Sequence, residues 1–382
     1  MPRKTHFLIG TRWFGVLGPC QILIDQLVDD GYDVFVFGQS DDHFERYDKG
    51  NARLVRLYMT RNYISPIRDI LDVIKLMAFI LWYRPENIHS FNPKPALLSF
   101  AASLVWPWSK FFIGVTGLGN SFICAKSLEP AIRFTLWLAC LRARFVFFQN
   151  PDDVALFKEK RLVVADKIRM FVGPGVDLEI FTPKRMEPGK RITIACTARL
   201  IWQKGVRQFV EAAKIIHARY PKREIEFKLY GEFDQDHPDC VDPSYINAAV
   251  VAGTITHIPW TDHIAAELRQ ADIFVLHSYR EGAPRAILEA SASGLPTIGS
   301  DAIGVRELVR DQVTGFLTPL HNVEALADKI EILVLDADLR KRMGHAARRL
   351  IAEPLSLERA TDAQMKMYTD ADRPKEGSPE WT

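Results

Sequence analysis

Short runs of β-branched and aromatic residues alternate along the chain with longer segments whose apolar positions recur every three or four residues. The first kind of run predicts strands and the second predicts helices. In the first half, strands are expected at His6–Gly10, Asp33–Gly38, Arg53–Tyr58, Asn87–Ser90, Phe111–Val115 and Phe145–Phe148. Helices are expected at Cys20–Asp30, Ile67–Tyr83, Ala96–Leu104 and Ala131–Leu141. Strand–helix–strand units build a parallel sheet covered on both faces. Ligands of such sheets bind beyond the carboxyl ends of the strands.

The pattern lapses at Gly173-Pro174-Gly175, and Pro183, Pro188 and Gly189 punctuate a poorly periodic stretch that reads as a hinge. It then restarts, with strands at Arg191–Cys196, Glu224–Tyr230, Ile255–Ile258, Ile273–Leu276 and Thr297–Gly299. Helices fit Gly205–Ala218, Ile264–Gln270, Pro284–Ser293, Val323–Leu335 and Leu339–Ala352. The expected fold class is α/β: two doubly wound, Rossmann-like domains, residues 1–184 and 185–355, facing each other across a cleft. A last helix at about 356–369 is expected to pack back on the first domain, and the polar tail 370–382 to be disordered.

A length of 382 residues suits two domains. The 49 Lys and Arg nearly balance 47 Asp and Glu, which gives no support to a nucleic-acid binder. The five cysteines are Cys20, Cys124, Cys140, Cys196 and Cys240, an odd number with no two closer than 16 residues. Neither a disulfide framework nor a Cys-rich zinc site is expected, and a reducing cytoplasm fits. The longest apolar runs, Leu76–Tyr83, Ala96–Trp108 and Phe134–Leu141, fall short of the ~20 residues of a membrane span.

The charge is unevenly spread. Residues 53–169 hold 17 Lys/Arg against 8 Asp/Glu, a net +9, which leaves −7 for the rest. The same window carries Trp82, Trp106, Trp108 and Trp137. Cations beside tryptophans suit an anionic membrane surface, and solvated helix faces over a Trp-containing core are the plainer alternative.

Two segments carry candidate chemistry. Tyr279-Arg280-Glu281-Gly282-Ala283-Pro284-Arg285 follows a predicted strand and opens a helix, with Pro284 in its first turn and Gly294 at its stop. The N–H groups of that first turn can hold a phosphate. Glu289 lies among Ile287, Leu288, Ala290 and Ala292, where a carboxylate is costly unless partnered. It can pair with an Arg of its own domain or accept hydrogen bonds from vicinal hydroxyls such as those of a ribose. Glu281 poses the same choice, with sugar hydroxyls as ligands. The second segment, Thr197-Ala198-Arg199-Leu200-Ile201-Trp202-Gln203-Lys204-Gly205, also links a strand to a helix. Arg199 and Lys204 together can neutralise a diphosphate, although two solvated surface cations would look alike in sequence. Asp41-Asp42 and Asp152-Asp153 read as loop and helix-cap residues.

The sequence resembles the family-4 retaining glycosyltransferases of the GT-B fold over residues 5–369. The resemblance rests on Ala198-Arg199-Leu200 with Lys204-Gly205, on Glu281 and Glu289, and on Gly294-Leu295-Pro296, Asp301, Gly304-Val305-Arg306-Glu307 and Thr314-Gly315-Phe316-Leu317. Gly173-Pro174-Gly175-Val176-Asp177 and Phe148-Gln149-Asn150 extend it. His89-Ser90-Phe91-Asn92-Pro93-Lys94-Pro95, Thr116-Gly117-Leu118-Gly119, Gly231 and Asp234–Pro238 resemble the branch that builds bacterial surface glycans on polyprenyl-diphosphate carriers. Undecaprenyl-diphosphate-sugar N-acetylgalactosaminyltransferases belong to that branch.

The resemblance implies roles. Arg199 and Lys204 would hold a donor diphosphate, Glu289 the ribose hydroxyls, Glu281 the donor hexose, and the backbone of Gly282, Ala283, Pro284 and Arg285 the sugar or phosphate. Backbone near Ile258 would hold the base, and a loop Phe14–Pro19 containing Gly15 would lie near the diphosphate. Many members carry a histidine where Thr116 stands, so no catalytic base is assigned. His89, at a strand end, is a candidate contact to acceptor or phosphate, or a loop cap. The implied partners are a UDP-sugar donor, used as substrate, and a lipid-linked sugar acceptor, with no obligatory metal and a place peripheral to the inner face of the plasma membrane. An inactive sugar-nucleotide-binding subunit, or an epimerase or hydrolase of the same architecture, would share these features.

Overall fold

The computed structural model describes residues 4–40, 52–59, 65–117, 129–171, 173, 175–183, 191–352 and 355–369. Asp41-Asp42, Cys124, Leu118-Gly119, Pro174 and the tail 370–382 lie outside them. The chain divides into two units, Met1–Pro174 with Glu358–Thr382, and Gly175–Leu357.

In the first unit the chain runs β1 (Lys4–Arg12), α1 (Phe14–Asp29), β2 (Tyr32–Gln39), β3 (Arg53–Arg56), α2 (Pro66–Tyr83), β4 (Asn87–Phe91) and α3 (Pro93–Ser103). It continues through β5 (Lys110–Val115), α4 (Glu129–Arg142), β6 (Phe145–Phe148), α5 (Pro151–Glu159) and β7 (Ile168–Met170). The strands form one parallel sheet in the order β3-β2-β1-β4-β5-β6-β7. Successive side chains of a strand point to opposite faces, which splits the core in two. Phe7 and Ile9 pack with Leu76 and Ile80 of α2, Phe100 of α3 and Leu136 of α4. Leu8 packs on the other face with Leu23, Ile24 and Leu27 of α1, and with Tyr368 from the helix Leu357–Thr369.

The expected loop at Phe14–Pro19 is a helix. α1 starts at Phe14, and the helical dihedrals fail only at Cys20 (φ −114°, ψ 16°). Gly15, Gly18 and Pro19 read as breakers, but burial of Val16 and Leu17 in the core outweighs that preference and the break shrinks to a kink. Gly15 is therefore a first-turn helical residue.

The second unit runs β8 (Ile192–Thr197), α6 (Val206–Arg219), β9 (Ile225–Tyr230), α7 (Pro243–Val251), β10 (Thr256–Ile258), α8 (Ile264–Gln270) and β11 (Ile273–Leu276). There follow α9 (Arg285–Ala292), β12 (Thr297–Ser300), β13 (Gly315–Thr318), α10 (Val323–Leu335) and α11 (Ala337–Ala352), before α12 (Leu357–Thr369) returns to the first unit. Its sheet order is β10-β9-β8-β11-β12-β13, all parallel. The unit starts at Gly175, ahead of the Pro-rich stretch, because Val176 is stitched to the end of the unit. Its N–H donates to Leu355 O (3.0 Å), and Arg348 donates to the carbonyl oxygens of Phe181 (2.8 Å) and Leu178 (3.2 Å).

Candidate functional site

The strand order of the second unit reverses between β8 and β11, which are neighbours in space but far apart in sequence. Loops leaving adjacent strands at such a point diverge and open a crevice. The two chemically suggestive segments are those two loops, β8–α6 and β11–α9.

Two glycines let them close up. Gly205 caps α6 with φ +75°, and a Cβ there would stand 2.2 Å from the carbonyl oxygen of His277. Gly304 has φ +84°, and a Cβ would stand 2.4 Å from the carbonyl oxygen of Glu281. Only glycine meets both demands. Tyr279 N–H donates to Gln203 O (2.9 Å), Ser278 Oγ to the same oxygen (3.2 Å), and Glu281 N–H to Ile303 O (2.9 Å). The loops are thus fixed by backbone contacts, independently of their charged side chains.

The charged side chains then pair. Lys204 Nζ donates to Glu281 Oε1, joining the two loops, and both side chains are largely buried. Arg199 Nη1 donates to Asp234 Oδ2 at 2.5 Å. Asp234 follows β9, whose loop is clamped to the β8 loop by Leu200 N–H donating to Glu232 O (2.8 Å). The sequence motif Asp234–Pro238 marked this segment as distinctive, but not as the source of a counterion for Arg199. That pairing depends on β9 lying beside β8.

Glu289 is one helical turn from Arg285, at 3.3 Å. The ion-pair reading of Glu289 is therefore present in this state of the protein. Arg285 is much more exposed, so the pair sits at a border between protein and water. Burial pushes the Glu289 carboxyl up from its ordinary range, and Arg285 partly counters it. Pro284 is the N-cap rather than a first-turn residue, and α9 starts at Arg285. The first N–H groups of α9, those of Arg285 and Ala286, precede any helical acceptor. Gly282 is buried and Ala283 partly so. Ile258 ends β10 with its carbonyl oxygen accepting from Gly231 N–H at 3.0 Å.

The remaining candidates belong to the first unit. Thr116 follows β5, and its hydroxyl donates to Asn92 Oδ1 at 2.7 Å. His89 is not at a strand end, because β4 runs on to Phe91. Its ring lies between Phe91, Phe147 and Tyr368, and it is 1% exposed. Nδ1 is 2.5 Å from the Tyr368 hydroxyl, and Nε2 has no hydrogen-bond partner among the described residues. Burial and the neighbouring His6 drive its pKa well below the ordinary value. Neither a contact to acceptor or phosphate nor a loop cap describes His89 here, which is a core residue under α12.

Such a site can take an anion on Arg199 and Lys204 by exchanging it for Asp234 and Glu281, which frees a carboxylate beside each cation. The chain is also similar to known proteins. The chain is 25% identical over 343 residues to N,N'-diacetylbacillosaminyl-diphospho-undecaprenol alpha-1,3-N-acetylgalactosaminyltransferase of Campylobacter jejuni, covering 85% of this chain and 88% of the relative. It is 26% identical over 319 residues to UDP-Gal:alpha-D-GlcNAc-diphosphoundecaprenol alpha-1,3-galactosyltransferase of Escherichia coli, covering 80% and 81%. Among solved structures, sucrose-phosphate synthase from Thermosynechococcus elongatus superposes with a TM-score of 0.79 at 18% identity, covering 96% of this chain and 99% of that one. The architecture, two Rossmann-like units, is that of the GT-B glycosyltransferases. Residues 179–350 match the family model for glycosyl transferases group 1, so the unit that holds Arg199, Lys204, Glu281 and Glu289 is a group 1 glycosyltransferase domain.

Proposed function

We propose that the protein is a retaining glycosyltransferase that moves a hexose or N-acetylhexosamine from a UDP-sugar to a polyprenyl-diphosphate-linked sugar in bacterial glycan assembly. The observation that carries this reading is the Lys204–Glu281 pair. It brings a cation and a carboxylate from two strand-end loops to one point. The donor diphosphate takes Lys204 and Arg199. Glu281, released, accepts hydrogen bonds from hydroxyls of the donor hexose. Glu289 turns from Arg285 to the ribose hydroxyls, whose hydrogen bonds offset the cost of keeping a carboxylate there. The two named relatives support the acceptor class, and the second supports a UDP-linked donor.

Breaking the sugar–phosphate bond builds negative charge on the leaving diphosphate and positive charge on the anomeric carbon. Arg199 and Lys204 meet charge that grows in the transition state, so they lower the barrier more than they tighten ground-state binding. In this reading they supply that charge without a metal ion. Retention follows from front-face attack, with the leaving phosphate oxygen taking the proton of the acceptor hydroxyl.

Product analysis tests the proposal. The protein is incubated with UDP-N-acetylgalactosamine or UDP-galactose and a short-chain prenyl-diphosphate N-acetylhexosamine. Sugar appearing on the prenyl acceptor, with the anomeric configuration of the donor, is the expected result. Sugar released only to water, isomerised sugar nucleotide, or no turnover across UDP-, GDP- and ADP-sugars would overturn it.

A further inference from the structure

Helix α2 is apolar on two opposite sides. Leu76 and Ile80 face the core, as the helical pattern requires. The opposite side carries Ile67, Ile70, Leu71, Ile74, Leu81 and Trp82, all exposed, with Ile67 at 76% and Trp82 at 83%. Their spacing is that of a single helical stripe a little over four turns long. α4 repeats the feature with Phe134, Trp137 and Leu141, and the Phe134 and Trp137 rings lie 5.7 Å apart. α3 packs between α2 and α4 on the same face of the sheet, and the turn that follows it exposes Leu104 and Trp108. These eleven are more than half of the twenty large apolar side chains exposed among the described residues. A soluble surface does not ordinarily gather them on one side of one unit.

The exposed charges described on α2 and α4 have one sign. Arg68 and Arg84 flank the α2 stripe, and Arg133 flanks that of α4; all three are exposed. The two acids of α2 are turned inward. Asp69 pairs with Lys94 at 3.0 Å, and Asp72 accepts the backbone N–H of Tyr58 at 2.9 Å. The turn bearing Trp108 is held from behind by Arg142, which donates to the carbonyl oxygens of Pro107 and Ser109. Arg84 stacks on Trp106, 5.2 Å from its ring centre.

We propose that the outer faces of α2 and α4, with the turn at Trp108, form a docking surface that lies in the plane of an anionic lipid bilayer. The helices rest in the headgroup region, their aliphatic and indole side chains enter the acyl boundary, and the arginines meet the lipid phosphates. No helix among the described residues is long and apolar enough to cross a membrane, so the contact is lateral. A second copy of the chain fits this face badly, because a two-fold contact would set the same arginines against each other. The inference deepens the proposed function, since a prenyl-linked acceptor is held in such a bilayer.

The test is flotation of the full chain with vesicles free of donor and acceptor, made of phosphatidylglycerol and phosphatidylcholine or of phosphatidylcholine alone. The wild type is expected to float with the anionic vesicles at low salt. The bound fraction should fall as the screening length drops from about 10 Å at 0.1 M to about 3 Å at 1 M salt. Ile74→Ser with Trp82→Ser should lower the partition coefficient about tenfold or more. Trp82→Ser alone should lower it by a smaller factor, and Arg68→Glu with Arg133→Glu should weaken it at low salt only. The variants should keep the wild-type melting temperature and turnover on the short-chain acceptor. Absence of wild-type flotation, flotation indifferent to these substitutions, or a dimer in sedimentation that they dissolve would each overturn the proposal. Because the vesicles hold no substrate, any of these results leaves the transfer reading standing, and only the turnover assay judges that reading.

Discussion

The two units distribute polar and apolar groups in opposite ways. In the second unit, the pairs Arg199–Asp234 and Lys204–Glu281 join loops that leave the sheet and Arg285–Glu289 lies on the first turns of α9, with Arg199 and Arg285 partly open to water. In the first unit, His6, His89 and Asp72 are enclosed, while Ile67, Trp82 and Trp108 stand outside. Charge near water can change partners at low cost, which suits a site that must take up and release a charged ligand. Charge or potential charge inside a core is expensive to change, so it ties stability to pH rather than to substrate.

The largest effect should come from the second unit. Arg199→Ala or Lys204→Ala is expected to cut turnover about 100–1000-fold, the usual cost of one transition-state charge partner, without moving the melting of the first unit. Wild-type turnover in both variants would erase the functional half of the contrast.

Next is Glu289→Ala, which removes charge-assisted hydrogen bonds and should weaken UDP binding about 10- to 100-fold by calorimetry. The Glu289 carboxyl is pushed up from its ordinary range and must be ionised to serve the ribose. UDP affinity of the wild type should therefore fall with pH sooner than an ordinary carboxylate would allow. Glu289→Gln should lose that pH limb, and a retained limb would assign it to another group.

The first unit gives the third prediction. Burial lowers the pKa of His6 from 6.5 to about 3 and drives that of His89 well below its ordinary value. Below pH 6.5 the unfolded chain binds protons that the folded unit does not, so stability falls as pH drops, and for His6 it keeps falling to about pH 3. Between pH 6.5 and 5 His6 costs ~2 kcal/mol, at about 1.36 kcal/mol per pH unit, and His89 acts in the same direction. Calorimetric melting at the two pH values should show the loss, and His6→Phe should reduce it. The smallest effect is that of Tyr368→Phe, which removes the hydroxyl shared with His89 and Gln364 and should cost ~1 kcal/mol in the same assay.

Much of this was legible in the chain. Phe145–Phe148, Ile264–Gln270, Ile273–Leu276 and Val323–Leu335 have the bounds that periodicity predicts. The two strands are unbroken apolar runs, and the two helices repeat apolar residues every three or four positions. Short or edge elements were not legible: β7 has three half-buried residues, and β13 is a four-residue edge strand preceded by Thr314. The sequence reads Asp152-Asp153 as helix-cap residues, but they lie in the first turn of α5, and the cap is Asn150, whose Oδ1 accepts from Asp153 N–H at 2.8 Å.

The site divides along the same line. Residue types and local spacing mark Arg199, Lys204, Glu281 and Glu289 in the sequence, because each lies beside a strand end or on an apolar helix face, where an ionised group needs a partner. Which partner each one takes is a property of the sheet. Asp234 reaches Arg199 because β9 lies beside β8, and Glu281 reaches Lys204 because β11 lies on the other side of β8. His89 looked available in sequence and is closed off by Tyr368, 279 residues away, because α12 returns to the first sheet. Local spacing can declare a charge or a ring. Strand order and a returning helix decide whether water, a counterion or an aromatic wall meets it.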